Sequence, residues 1–414
     1  MLKKIITIML LCLIVCTNTT LAVELYVWST ESKKIENNTT NETVDVSTSA
    51  SEEANKENAL NLTCGSAILI EQDTGKVLYE HNAHEQLRPA SVTKVMSILL
   101  IMEALDEGRI TLDTQIPCSE NASSMGGSQI WLDTTETLSV DEMLKAICVV
   151  SANDCTVAMA EYLAGSEEAF VQKMNERAKE LGMNDTTFKN CHGIDEDGHI
   201  TSSHDISLMS RELMKNHSQV TKYTTIWMDS LRDGDSELVN TNKLVRNYEG
   251  CTGLKTGSTS LAKYNLSATA TRNDLSLIAV VMKAETTKLR FEEAQKLLNY
   301  GFSNYGYKKF ANKNDVLKEV EVTKGVEESL RCIYAQDAGA LVKKGEENNV
   351  IQEVNIKENV QAPIYKGDKI GEVTYSLNGE KIQKVDIIAE KDIKKSTLWN
   401  ITTTLFANWF RLTR

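Results

Sequence analysis

The chain has 414 residues, 41% of them hydrophobic, which suits two domains with tails and leaves ample material for a core. Its net charge is −13, with 58 acidic residues spread along its length and no basic groove. That balance argues against nucleic acid or any other polyanion as a partner and suits a solvated surface.

Residues 1–22 read as an export signal. Lys3 and Lys4 give a positive start, Ile5 to Cys16 an apolar stretch too short to span a bilayer, and Thr20-Leu-Ala22 a small-residue cleavage site. A lipoprotein reading of Leu13-Ile-Val-Cys16 is weakened by bulky Val15, so plain cleavage after Ala22 is expected. It would leave Cys64, Cys118, Cys148, Cys155, Cys191, Cys251 and Cys332, an odd and scattered set. These do not form a disulfide framework; most read as small buried hydrophobes, with one bridged pair left open.

Residues 23–61 read as a flexible tether, because the Ser, Thr, Asn and Glu of 29–60 cannot support a core. Order is expected from Leu62. Ala67–Ile70 and Val77–Tyr79 are short β-like runs around the turn Asp73-Thr-Gly75. From Ser91 to about Asn247 the pattern is helical, with loops at 121–128 and 191–203. Tyr264–Thr271 and Leu275–Met282 read as strands joined by the hairpin turn Arg272-Asn-Asp274, and Leu289–Phe302 as a closing helix. Strands at both ends of a helical middle imply an α+β domain over 62–307, whose terminal strands share one antiparallel sheet.

Residues 308–392 read as a small all-β domain from Val316–Val322, Val350–Ile356, Lys369–Tyr375 and Lys384–Ile388. In 393–414, Leu398, Trp399, Leu405, Phe406, Trp409 and Leu412 recur at near-helical spacing beside Lys394, Lys395, Arg411 and Arg414. Too short and polar to span a bilayer, this segment suits an amphipathic helix lying at a membrane surface.

Three short signatures carry the chemistry: Ser91-Val-Thr-Lys94, Ser151-Ala-Asn153 and Lys255-Thr-Gly257. Each has decoys. Ser260-Leu-Ala-Lys263 fits the first pattern; Ser119-Glu-Asn121 and Ser376-Leu-Asn378 fit the second. Context favours Ser91, because Val92, Val95, Met96, Ile98, Leu99, Leu100, Ile101 and Met102 make the following helix apolar nearly all round. Ser91 is expected in its first turn, where free N–H groups favour negative charge. Three residues on, Lys94 shares its face and can take the hydroxyl proton if burial and a second cation, Lys255, lower its pKa.

Ser151 offers a hydroxyl able to relay a proton, and Asn153 an amide able to hold Lys94 and a substrate carbonyl together. Alone, this pair would read as a helix cap. Lys255, Thr256 and Gly257 precede a strand along whose edge an extended substrate could dock, with Gly257 permitting close backbone approach. The order and spacing of all three signatures outweigh the ordinary readings of each and point to an active serine. The histidines at 81, 84, 192, 199, 204 and 217 show no His-Glu-x-x-His spacing, and no Cys-x-x-Cys, Gly-x-Ser-x-Gly or phosphate-binding loop is present. No metal or nucleotide cofactor is indicated.

These residues resemble the low-molecular-weight penicillin-binding proteins, the serine D-alanyl-D-alanine carboxypeptidases of bacterial cell walls. Arg88-Pro-Ala-Ser-Val-Thr-Lys94, Met125-Gly-Gly-Ser-Gln-Ile-Trp131, Cys191-His-Gly193 and Gly253-Leu-Lys-Thr-Gly257 all carry the resemblance. It implies a DD-peptidase/β-lactamase-like fold, with helices on both faces of the sheet. It also implies Ser91 as nucleophile, Lys94 as base, Ser151 as proton relay, and N–H groups of Ser91 and Ser258 as the oxyanion hole. Lys255, Thr256 and Arg290 would face the terminal carboxylate. The implied partners are a peptidoglycan stem peptide, β-lactams as covalent inhibitors, and a membrane surface bound through the tail; a monomer is expected.

Two stretches depart from the family pattern. Ala262-Lys-Tyr-Asn265 stands where relatives commonly have Ala-Gly-Tyr-Asn, and Ser202-Ser-His-Asp205 where a small residue followed by Ala-Arg-Asp is expected. The rival readings are a β-lactamase and a slow penicillin-binding wall protein. The first lacks a Glu-x-x-Leu-Asn-like loop between 163 and 253, and a membrane-spanning sensor lacks its apolar span.

Overall fold

The computed structural model describes residues 60–397 and Thr402. The expected export signal, the tether up to residue 59, and Leu398, Trp399, Leu405, Phe406, Trp409 and Leu412 of the expected tail helix lie outside them.

Strands β1 (Ser66–Glu71) and β2 (Val77–His81) form the first hairpin. A helical region follows: α1 (Lys94–Asp106), α2 (Val140–Val149), α3 (Asn153–Ala164), α4 (Glu167–Glu180) and α5 (Ser203–Asn216). The chain then returns to β3 (Cys251–Thr259), β4 (Lys263–Arg272) and β5 (Leu275–Ala284), and closes with α6 (Thr287–Asn304). The sheet order is β2-β1-β5-β4-β3, antiparallel throughout, so the first and last strands of the α+β unit pair at its centre.

Period-two alternation splits the sheet residues between two cores. Ile68, Ile70, Ile278, Val280 and Met282 join α1, α2, α3 and α5 on one face. Ala67, Leu69, Leu266, Ala268, Ala279 and Val281 meet Phe291, Ala294, Leu297 and Leu298 of α6 on the other. Helices therefore cover both faces. Local chemistry fits this arrangement. Ser139 and Glu142 form a reciprocal capping box at the start of α2. Asn273 and Asp274 both adopt positive φ in the two-residue β4–β5 turn, as such hairpins demand.

The helical region also contains two short hairpins absent from the sequence reading: Gln115–Pro117 with Thr137–Ser139, and Met228–Leu231 with Ser236–Val239. Strands of three or four residues are too short to display a period.

Beyond α6 the chain is all β: β6 (Tyr305–Ala311), β7 (Val316–Thr323), β8 (Ser329–Tyr334), β9 (Ala338–Lys343), β10 (Val350–Ile356), β11 (Asn359–Gln361), β12 (Lys369–Leu377) and β13 (Glu380–Ala389). Six of these form a sheet of order β10-β12-β13-β8-β7-β11, antiparallel except for the β7–β11 pair, while β6 pairs with β9. A separate core of Val320, Leu330, Cys332, Val373, Tyr375, Val385 and Ile387 fills this region. All seven cysteines among the described residues are free thiols.

Candidate active site

Ser91 lies on a short 3₁₀ turn, Ala90–Thr93, that runs straight into α1, one turn earlier than a start within the α-helix itself. Helix α1 is buried on nearly every side, Lys94 included at 0% exposure. Its ammonium nitrogen has three neighbours: Asn153 Oδ1 at 2.6 Å, the carbonyl of His192 at 2.7 Å and Ser91 Oγ at 3.2 Å. Burial, and next the charge of Lys255, hold its pKa well below the ordinary 10.5. A neutral amine has two N–H donors and one lone pair. The two carbonyl-type oxygens can only accept, so they take both donors, and the lone pair is left facing the Ser91 hydroxyl. That is the arrangement of a base ready for a serine proton.

Ser151 and Asn153 sit between α2 and α3. Neither caps α3: Ala152 holds the cap position and no side chain bonds there. The Asn153 N–H donates to Ser128 O at 2.7 Å, and its Nδ2 donates to Gly126 O at 2.7 Å. One side chain thus joins Lys94 to the 125–131 loop, leaving the second Nδ2 hydrogen for a further acceptor. Asp154, fully buried, accepts from the N–H groups of Ile130 and Leu132 and fixes the far end of that loop. Ser151 is buried, adopts φ +65, and has no partner for its hydroxyl among the described residues. Both features cost free energy, and strain of this kind persists where surrounding structure imposes it.

Strand β3 brings the third signature alongside. Lys255 is buried, its pKa pushed down to about 7, chiefly by burial; its Nζ donates to Thr256 O at 2.9 Å. Thr256 Oγ1 donates to Thr241 Oγ1 at 2.7 Å, and Ser258 is exposed. Gly257 touches the nucleophile turn. A Cβ there would stand 2.9 Å from Pro89 O and from the amide nitrogens of Ser91 and Val92. Arg290 reaches the same strand from α6, its Nη1 donating to the carbonyls of Gly257 and Asn265 at 3.2 Å. Its guanidinium also lies 5.6 Å from the Tyr264 ring and 4.7 Å from the Phe291 ring. Burial pushes its pKa down to about 10.

Several further groups shape the site. The His192 carbonyl binds Lys94, while burial and the neighbouring Lys94 push the His192 imidazole down to about 3. Gly193, at φ +91, passes so close to the nucleophile turn that a Cβ would fall 1.9 Å from Ala90 O. Asn265 Nδ2 donates to Arg88 O and Pro89 O at 2.8 and 3.0 Å, tying the sheet to that turn. The stretches Cys191-His-Gly193 and Met125 to Trp131 were visible in the sequence, but their contribution through carbonyls carries no residue-type signal.

The decoys have ordinary jobs. Ser119 caps a helical turn through Ala122 N–H at 2.9 Å, Asn378 takes positive φ in the β12–β13 turn, and Ser260 sits exposed in the β3–β4 turn. Lys263 also has positive φ, +59, the conformation that favours glycine, and its Nζ lies 3.6 Å from Glu285.

Residues 31–286 match the family model for D-alanyl-D-alanine carboxypeptidases, and residues 305–395 the model for the C-terminal domain of penicillin-binding protein 5. The chain is 44% identical to the D-alanyl-D-alanine carboxypeptidase DacF of Bacillus subtilis, over 83% of this chain and 89% of that protein. Among solved structures it resembles penicillin-binding protein 5 from Haemophilus influenzae, with a TM-score of 0.67, 30% identity, and 81% of this chain and 98% of that chain covered. It also resembles penicillin-binding protein D2 from Listeria monocytogenes in its ampicillin-bound form, with a TM-score of 0.54 and 32% identity, over 59% of this chain and 99% of that one.

Proposed function

The chain belongs to the D-alanyl-D-alanine carboxypeptidase family, and from that premise we propose how its own residues carry the reaction. Ser91 Oγ attacks the carbonyl of the penultimate D-Ala of a peptidoglycan stem peptide, and Lys94 takes the hydroxyl proton. The N–H groups of Ser91 and Ser258 receive the developing oxyanion, the interaction that usually contributes most to such barriers. Lys94 gives that proton through the Ser151 hydroxyl to the departing amine, the C–N bond breaks, and D-Ala leaves. Water then opens the acyl-enzyme, returning the proton to Ser91. Lys255 and Thr256 hold the substrate carboxylate, Asn153 steadies the acyl carbonyl, Gly257 allows the strand to approach, and Arg290 adds positive charge from behind it. No cofactor enters this route.

The observation that carries this reading is the Lys94 nitrogen, whose two fixed acceptors leave its lone pair to Ser91. The test is D-Ala release from a D-Ala-D-Ala-terminated peptide, lost in Ser91→Ala. Normal release by that variant would overturn it. β-Lactams, by the same attack, form a long-lived adduct on Ser91; the ampicillin-bound relative supports this. A β-lactamase would instead clear the adduct quickly, and the carboxypeptidase names of the relatives do not favour that alternative.

Action on cell-wall peptide fits an extracytoplasmic location. The pattern of residues 1–22 supports export and that of 393–414 supports attachment to the outer face of the cytoplasmic membrane. Within residues 62–307, one chain supplies every proposed site residue, in keeping with a monomer; 308–392 would form a second domain beside it.

A further inference from the structure

Apart from the Ser91 region, three side chains far apart in sequence converge at the surface. One ligand atom each from His84, Asp185 and His204 lies within 4.8 Å of the others. His84 Nδ1 is 2.7 Å from Asp185 Oδ2, and the His84 and His204 rings lie with centroids 4.4 Å apart. We propose that these three residues bind a divalent cation of the zinc class.

Two imidazoles and a carboxylate form a donor set suited to such an ion, with water in the fourth position. The supporting shell is already built. Buried Asp205 places Oδ1 3.2 Å from His204 Nδ1, which directs the opposite ring nitrogen outward as a ligand. The other oxygen of Asp205 accepts from the Asp185 N–H at 2.8 Å and from Thr186 Oγ1 at 2.7 Å. Ser202 Oγ donates to Asp185 Oδ2 at 3.1 Å. His204 N–H donates to Ala83 O at 2.9 Å, so the residue before His84 is tied to the start of α5. His84 is exposed, and an ion would replace its 2.7 Å contact with Asp185, with the three ligand atoms adjusting to the roughly 3.3 Å that separates ligands on a tetrahedral ion with bonds of about 2.0–2.1 Å.

A second group, Glu103, Glu212 and His217, shows why proximity alone is not enough. Arg177 already occupies it, donating to Glu103 at 2.8 Å and to Glu212 at 2.7 Å, and His217 is bonded to Asp106. The His84 group has no such resident cation among the described residues. An ion there would staple the 82–88 segment, which leads into the Ser91 turn and is bridged through Leu87 to Thr201, onto the start of α5.

The test is zinc titration of the chelator-stripped full chain by calorimetry, with cobalt(II) absorption and thermal unfolding alongside. One zinc per chain, a tetrahedral-type cobalt spectrum and a raised melting temperature are expected. His84→Ala and His204→Ala should each weaken binding at least tenfold, and Asp205→Asn by about 10–100-fold. His217→Ala should leave it unchanged. If His204→Ala fails to fold, exposed His84→Ala carries the test. Absence of zinc binding by the parent chain, or binding that both histidine variants retain, overturns the proposal.

Discussion

Lys94 Nζ and Asn153 Oδ1 stand 2.6 Å apart, and both side chains are buried. The amide oxygen cannot donate, so this contact fixes which way the lysine lone pair points as well as where the amine sits. Losing the ammonium proton would relieve the cost of burial, and the same step creates the base.

Replacing Lys94 by arginine tests that account. Arginine stays protonated in proteins and cannot accept the serine proton. Lys94→Arg should acylate with penicillin about 10²–10⁴ times more slowly while remaining folded. Stopped-flow acylation with circular dichroism measures both, and equal rates would remove Lys94 from the base role.

The pH profile separates the two lysines. Lys94 works deprotonated, so acylation should fall only as pH drops through its depressed pKa. Lys255 must be charged to hold a carboxylate, so kcat/KM should decline as pH rises through about 7, where the free enzyme loses that proton. Lys255→Arg should move the falling limb to much higher pH. A limb unmoved by that change belongs to another group.

Ser151→Ala should separate stability from activity. Its hydroxyl is buried without a partner, so removing it should cost no stability and should gain up to about 1 kcal/mol in urea unfolding. D-Ala release should nonetheless fall by about 10²–10⁴ if the hydroxyl relays the proton. Loss of stability with unchanged turnover would mark it as structural.

At Gly257 the two effects should run together. The added methyl of Gly257→Ala would meet Pro89 O and the Ser91 and Val92 nitrogens at 2.9 Å. Pushing β3 from the nucleophile turn should cost about 1–3 kcal/mol and slow acylation in parallel. Wild-type acylation in this variant would show that strand and turn need not be so close.

Deleting residues 394–414 should release the protein from anionic vesicles in flotation and leave turnover of a soluble peptide intact. A truncated chain that still floats, or that unfolds, rules out a dispensable anchor.

Much of this was legible in the sequence because it was written in side chains. The apolar run after Ser91 announced a buried helix, and the short β-like runs around the turns Asp73-Thr-Gly75 and Arg272-Asn-Asp274 announced the sheet. What escaped was written in backbone. The His192 and Gly126 carbonyls that position Lys94 and Asn153 could belong to any residue type. Strand β9 was missed for a related reason: Ala338 to Val342 are all buried, so no alternation marks them. The His84, Asp185 and His204 group has no sequence spacing because two separate loops and the first turn of α5 build it.

The pairing of β1 with β5 also governs how the molecule assembles. Ser66 finds its partner in Met282, and Glu71 in Leu277, across roughly two hundred residues of intervening chain. The first strand therefore cannot complete its ladder until nearly all of the α+β unit has been made, and closing so long a loop carries an entropic cost before any contact rewards it. Such a topology folds slowly and late. Until β5 has been made, β1 can pair only with β2, and its other edge stays open.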